Sequence, residues 1–258
     1  MALLSIEGVS KQFHGLRAVD DVTFSVESAQ ILGLVGPNGA GKTTLFNLIT
    51  GFLSISKGRI LLKERDITNC PIYERARMGM GRTFQTSQLF SEFTVSENLL
   101  VSGYGGLQAV RGLFGGGQGF HAIHKKIEMR VDEIIDFVGL AEYRSTRAGN
   151  LSYASQRRVE IGRALMIDPC VLLLDEPAAG MNLTEVQELN QLIRRIQLQG
   201  RAIIVVEHNM RVIMDVADKV SVIEFGRLIA EGSPQTIRND PVVIKAYLGT
   251  QESEYVTP

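Results

Sequence analysis

Gly36-Pro37-Asn38-Gly39-Ala40-Gly41-Lys42-Thr43-Thr44 follows the apolar run Ile31-Leu32-Gly33-Leu34-Val35 and precedes the helix-like segment Leu45-Phe46-Asn47-Leu48-Ile49. The spacing G-x-x-x-x-G-K-[ST] between a strand and a helix is that of a phosphate-binding loop. Its glycines let successive backbone N–H groups turn inward around a β-phosphate, where a side chain would collide. The N-terminus of the following helix adds partial positive charge and free donors. Lys42 is placed to reach the β- and γ-phosphates as a point charge, and the Thr43 hydroxyl to complete a Mg²⁺ shell. The stretch predicts an α/β fold that binds a nucleoside triphosphate.

Composition narrows the class. A chain of 258 residues is enough for one substantial domain, or one with a subdomain inserted. Its 27 basic and 28 acidic residues leave no overall pull toward nucleic acid or acidic membrane. Cys70 and Cys170 make no disulfide framework and no C-x-x-C metal spacing, which suits a reducing cytoplasm. Cys170, beside an apolar strand, reads as a core residue, and Cys70, before Pro71, as loop. No apolar run approaches the ~18 residues that span a bilayer, and the start lacks the features of a signal peptide. The expectation is a soluble protein whose membrane role, if any, comes through a partner.

Along the chain, residues 3–35 read as short strands, with Val22, Phe24 and Val26 alternating with polar residues. Ser56-Lys57-Gly58 is a turn before another strand, Arg59-Ile60-Leu61-Leu62. Ile123, Ile127, Val131, Ile134, Ile135 and Val138 recur at helical spacing. Val171–Leu174 and Ala202–Val206 are continuous apolar runs, the pattern of parallel strands buried on both faces. Val186, Leu189, Ile193 and Ile196 between them give the crossover helix of a βαβ unit. The stretch 101–120, with eight glycines and no periodicity, reads as a surface loop.

Asp175 and Glu176 end the first of those runs. Carboxylates at the carboxyl end of a parallel strand face the crevice where such sheets hold ligands. Asp175 is therefore a candidate Mg²⁺ ligand and Glu176 a candidate to polarise an attacking water; helix N-capping is the plainer alternative. His208, at the end of the next run, falls at the same end of the sheet and is a candidate γ-phosphate contact. Gln85 opens the helical stretch, where an amide could reach a metal ion and a water, or serve as an ordinary loop glutamine.

The order phosphate loop, Gln85, Leu151-Ser152-Tyr153-Ala154-Ser155, Leu174-Asp175-Glu176, Ala179-Gly180-Met181-Asn182, His208 resembles the nucleotide-binding subunit of an ATP-binding cassette transporter over nearly the whole chain. The resemblance implies a P-loop NTPase core of mixed sheet with an N-terminal antiparallel β region and an inserted helical subdomain. It further implies one cassette over 1–258: a core of 1–85 and 160–250, a helical subdomain of 86–159 holding the insertion 101–120, and a tail of 251–258. Phe13 matches the aromatic that stacks on adenine in that family, or else is a buried strand residue. Ser152 and the backbone of Ala154 would cap the γ-phosphate bound to an opposite subunit, two chains closing head-to-tail over two ATP molecules. The resemblance also implies that Gln85 would join Thr43 and Asp175 as a metal ligand, and Glu176 and His208 in the chemistry.

Gly81-Arg82-Thr83-Phe84-Gln85, the glycine-rich insertion, Gln156-Arg157-Arg158-Val159-Glu160 and the ending Asp240–Gly249 are similar to the larger ATPase subunit of branched-chain amino-acid importers. That implies a second ATPase chain, two integral-membrane permease subunits, an external solute-binding protein and a place on the cytoplasmic face of the membrane, with no nucleic acid. The ATPases of urea importers and lipopolysaccharide exporters are similar too. An ATP-driven clamp of DNA repair or translation, or a small-molecule kinase, fits less well: there is no coiled coil, second cassette or basic stripe, and the later motifs are not those of a kinase. Two departures stand out. Ala154 and Ser155 replace the Gly and Gln that end the family's Leu-Ser-Gly-Gly-Gln signature, and Asn182 replaces an Asp. Both put efficiency in doubt, not nucleotide binding.

Overall fold

The computed structural model describes residues 2–84, 88–105 and 117–252. In chain order the strands are β1 (Ala2–Phe13), β2 (Leu16–Glu27), β3 (Ile31–Val35), β4 (Lys57–Leu62), β5 (Arg65–Asp66), β6 (Met80–Arg82), β7 (Val171–Asp175), β8 (Ala202–Val206), β9 (Lys219–Glu224) and β10 (Arg227–Gly232). The helices are α1 (Lys42–Thr50), α2 (Ile72–Arg77), α3 (Val95–Gly105), α4 (Gly117–Phe137), α5 (Tyr153–Leu165), α6 (Leu183–Leu198), α7 (Met210–Val216), α8 (Pro234–Arg238) and α9 (Pro241–Glu252).

Two sheets divide the strands. One is antiparallel in the order β2-β1-β4-β5; the other is six-stranded, β10-β9-β3-β8-β7-β6. The five inner and far strands of the second are parallel, and β10 joins β9 antiparallel. Every residue of β3, β7 and β8 is buried, as expected for apolar strands covered on both faces. Alternate residues feed two cores. Ile31, Val35, Leu172, Leu174, Ile203 and Val205 join the helical side, and Leu32, Leu34, Leu173, Ile204 and Val206 face α1 and the antiparallel sheet. On the helical side Leu99, Val131, Ile134, Ile135, Ile161 and Leu165 link α3, α4 and α5. Among the described residues no helix is long and apolar enough to cross a membrane.

Three sequence expectations change. The region 3–35 holds two twelve-residue strands before β3, not a set of short ones. Four register shifts between β1 and β2 interrupt the alternation, so one bulged ribbon reads in sequence as separate pieces. The stretch 101–120 is not loop at its ends: residues 101–105 finish α3 and Gly117 begins α4, while 106–116 lie outside the described residues. Gly103 belongs to helix packing, since a Cβ there would sit 2.5 Å from Ile127 Cγ2. Cys170 is half-buried at the edge of the core, its Sγ 3.7 Å from the Met78 carbonyl.

Arg75, 2 % exposed, fastens α1 from below. Its Nη1 donates to the Leu48 and Ile49 carbonyls at 2.8 and 2.6 Å, Nε to Cys70 and Nη2 to Thr68. The first two are carbonyls of the last turn of α1, where Gly51 N–H also reaches Leu48 O at 3.2 Å. Burial pulls the guanidinium pKa down, yet arginine stays charged. Arg75→Met leaves four carbonyls without this donor and is expected to cost about 3 kcal/mol in urea unfolding; a loss below about 1 kcal/mol would contradict this account of α1.

Candidate active site

β3 delivers the chain into the loop 36–41, and α1 starts at Lys42. Gly41 is the N-cap, with φ 101°. A Cβ at Gly41 would lie 2.4 Å from the Ala18 carbonyl oxygen, so only glycine lets β2 and the loop approach this closely. Further ties fix the loop: Leu45 N–H donates to Gly41 O at 2.9 Å and Gly226 N–H to Ala40 O at 2.8 Å. Lys42 is 7 % exposed. Its Nζ donates to Gly36 O at 2.6 Å and Pro37 O at 2.9 Å, and an ammonium has three donors. Burial lowers its pKa, and the Glu176 charge opposes that. Thr43 is exposed and Thr44 half-buried in the first turn.

Asn38, Gly39, Ala40, Gly41, Lys42, Thr43 and Thr44 line an open recess of about 520 Å³ with Glu176 on one side and the β9–β10 turn on another. Glu176 follows β7 with φ 44°, a left-handed conformation that costs a bulky residue about 1–2 kcal/mol. Its N–H donates to Val206 O at 2.9 Å, which ties it to the neighbouring strand. His208 leaves the end of that strand, with Nδ1 3.8 Å from Glu176 Oε1 and 4.0 Å from Glu207 Oε2. β7 and β8 run parallel in register, Asp175 opposite Val206, which is why both side chains emerge at one end of the sheet.

Asp175 is 2 % exposed and pairs with Arg82, Nη2 to Oδ2 at 3.2 Å. Burial raises its pKa, and the guanidinium works against that. A Thr hydroxyl at the recess and one carboxylate at a strand end are hard oxygen donors of the kind Mg²⁺ takes beside substrate phosphates. Among the described residues no cluster of three His, Cys, Asp or Glu forms a metal cage of another type.

Other candidates lie apart from this recess. Phe13 is 38 % exposed with Lys11 Nζ 5.1 Å over its ring, and Leu16, Arg17 and Ala18 are the β2 residues that reach the recess. Ser152 caps α5: its Oγ accepts from Ser155 N–H at 3.3 Å and donates to Ser155 Oγ at 3.1 Å. Ala154 is buried beside it. Asn182, not Asp175 or Glu176, is the N-cap of α6, in a capping box with Glu185. Gln85 lies outside the described residues.

Two residues carry more of the site than their sequence context indicates. Glu207 is 1 % exposed, and its Oε1 accepts from Ala178 N–H at 2.9 Å, joining the loop after Glu176 to the loop of His208. Burial pushes its pKa up, opposed by that N–H. Arg82, at the end of β6, reaches Asp175 only because β6 pairs with β7 in the fold, and its sequence neighbourhood gives no sign of that. A larger groove of about 930 Å³ lies between the 178–181 loop, His208 and α9. Its lining is mainly apolar and lacks the phosphate loop, so the smaller recess is the better fit for a triphosphate.

The ABC transporter family model matches residues 19–179 of this chain. The chain belongs to the ABC transporter family. As an ABC cassette it binds ATP and is an ATPase. A second model, branched-chain amino acid ATP-binding cassette transporter, matches residues 227–253. The high-affinity branched-chain amino acid transport ATP-binding protein LivG of Escherichia coli K12 is 42 % identical over 96 % of this chain and 98 % of its own length. The lipopolysaccharide export system ATP-binding protein LptB of Haemophilus influenzae is 33 % identical over 97 % and 99 %. A nucleotide-free ATP-binding cassette of an ABC transporter superposes with a TM-score of 0.85 at 33 % identity, covering 96 % of this chain and 99 % of that one.

Proposed function

We propose that this cassette powers branched-chain amino-acid import, hydrolysing ATP at the cytoplasmic face of the membrane. The observation that carries it is the similarity to the amino-acid transport relatives at 42 % identity, above the 33 % to the export protein, together with the branched-chain match on the segment holding β10, α8 and α9. In this reading a second ATPase subunit pairs with it head-to-tail, two permease subunits dock on the pair, and an external binding protein brings the solute.

Each residue then has a task. The loop amides and Lys42 neutralise the phosphates, and Phe13 stacks on the adenine. Thr43, Asp175 and Gln85 would hold Mg²⁺, which when bound neutralises charge on the β- and γ-oxygens. Glu176 orients the attacking water and His208 holds the γ-phosphate. Ser152 and Ala154, lying outside the recess, serve the nucleotide of the partner subunit. The test is reconstitution with the permeases in vesicles. ATP-driven uptake of leucine, lost with Glu176→Gln, is expected; ATP-driven movement of another class of solute and none of leucine would overturn the amino-acid assignment.

The signature departure gives a second expectation. Ser152 spends its hydroxyl proton on Ser155 Oγ, a bond a glutamine at 155 would not reproduce in the same geometry. Ala154 also sets a Cβ where close backbone approach to phosphate is wanted. The site that uses this signature should therefore be the slower of two. Ala154→Gly with Ser155→Gln is expected to speed it about ten- to a hundredfold, read as single-turnover hydrolysis in the assembled complex. An unchanged rate would show the departure to be silent.

A further inference from the structure

Arg82 ends β6 with its side chain 11 % exposed, and all its nitrogens are engaged. Nη1 donates to Asn47 Oδ1 at 2.7 Å and to Thr50 Oγ1 at 2.9 Å, both on α1. Nε donates to the Thr83 carbonyl at 3.3 Å, and Nη2 to Asp175 Oδ2 at 3.2 Å. Phe46, Phe52 and Phe84 surround it, their ring centroids 4.7, 4.9 and 5.0 Å from the guanidinium carbon. Phe52 and Phe84 meet edge to face at 5.6 Å. A buried ion pair is by itself a poor source of stability, because apolar residues of the same volume serve as well. This one is held by three further hydrogen-bond acceptors and three rings, which fixes where it points.

We propose that Arg82 is a positioning residue: it ties Asp175 to the helix that carries Lys42 and Thr43, and so sets the affinity for the divalent cation that accompanies the nucleotide. The inference rests on the reading of Asp175 and Thr43 as metal-binding residues. Thr43, Asn47 and Thr50 follow one another along α1, one and two turns apart, so the guanidinium is referenced to the same rigid element as the hydroxyl donor. It takes the carboxylate through one oxygen, Oδ2. Because Asn47, Thr50 and the three rings hold it, the guanidinium stays in place and the carboxylate takes its orientation from it. Partners that orient a ligating carboxylate typically govern metal affinity by ten- to a hundredfold. Charge alone gives the opposite sign: removing a fixed cation near a metal site should tighten metal binding. The direction of the change therefore separates positioning from simple repulsion.

The test uses the full chain and a non-hydrolysable ATP analogue, titrated calorimetrically with excess Mg²⁺ and again in EDTA. The ratio of the two affinities reads the metal's contribution apart from any turnover. In the parent the analogue should bind in both conditions and more tightly with Mg²⁺. No binding in either would overturn the nucleotide reading itself. For Arg82→Gln the ratio is expected to fall about ten- to a hundredfold, with affinity in EDTA within about twofold of the parent. Arg82→Lys keeps the charge but not the planar fork, and should lose about tenfold; it carries the test if Arg82→Gln does not fold. A parent-like or larger ratio in a folded variant would overturn the proposal, and so would a loss of affinity in EDTA matching the loss with Mg²⁺.

Discussion

Lys42→Ala is expected to abolish useful ATP affinity, a loss of roughly 2–5 kcal/mol, or about thirty- to five-thousandfold. Lys42 is mostly buried at the edge of the recess, and its two bonds to Gly36 and Pro37 hold the mouth of the loop in shape. Truncation removes both the charge proposed to face the phosphates and the two bonds to the loop carbonyls. Calorimetric titration with ATP checks this, alongside Lys42→Arg. Arginine keeps the charge, but its planar fork does not fit two carbonyls meant for a compact ammonium, so binding should remain poor. Affinity within threefold of the parent for Lys42→Ala would remove Lys42 from the site.

Glu176→Gln should separate binding from chemistry. The amide matches the carboxylate in shape but cannot take a proton from water, and loss of a general base typically costs about 10²–10⁴ in rate. ATP affinity should stay near that of the parent, and in the assembled complex the closed pair of cassettes should accumulate with ATP trapped. Glu176 is held at the recess by its N–H bond to Val206 O, and His208 Nδ1 approaches its carboxylate to 3.8 Å, so the Gln variant should keep this position. Hydrolysis at the parent rate by the Glu176→Gln complex would place the base elsewhere.

Much of this architecture was legible in the chain. The strand–loop–helix motif, the apolar parallel strands and the crossover helix α6 follow from local periodicity. The meeting of Glu176 with His208 follows from both leaving adjacent parallel strands at the same end. What was not legible depends on pairings across long stretches of sequence. Arg75 finds carbonyls 26 and 27 residues earlier, and Arg82 finds Asp175 across 93 residues. Neither has a local spacing signature, because each is a buried cation defined by what the fold brings to it. Bulges hid the length of β1 and β2, and Gly103 looked like loop because the sequence does not show the Ile127 side chain it makes room for. Phe13, Ser152 and Ala154 remain outside the recess of the single chain, consistent with the proposal that the last two serve a second cassette.

The most direct measurement of that central claim is the specific ATPase activity of the purified chain as a function of its own concentration, with Mg²⁺ present. If each site is completed by the signature of another cassette, activity per chain is low when dilute and rises with concentration. Ser152→Ala should lower that rise while leaving ATP binding to the isolated chain unchanged. A high turnover that stays constant down to dilutions where no dimer persists would contradict the account, because a single chain would then be hydrolysing ATP alone.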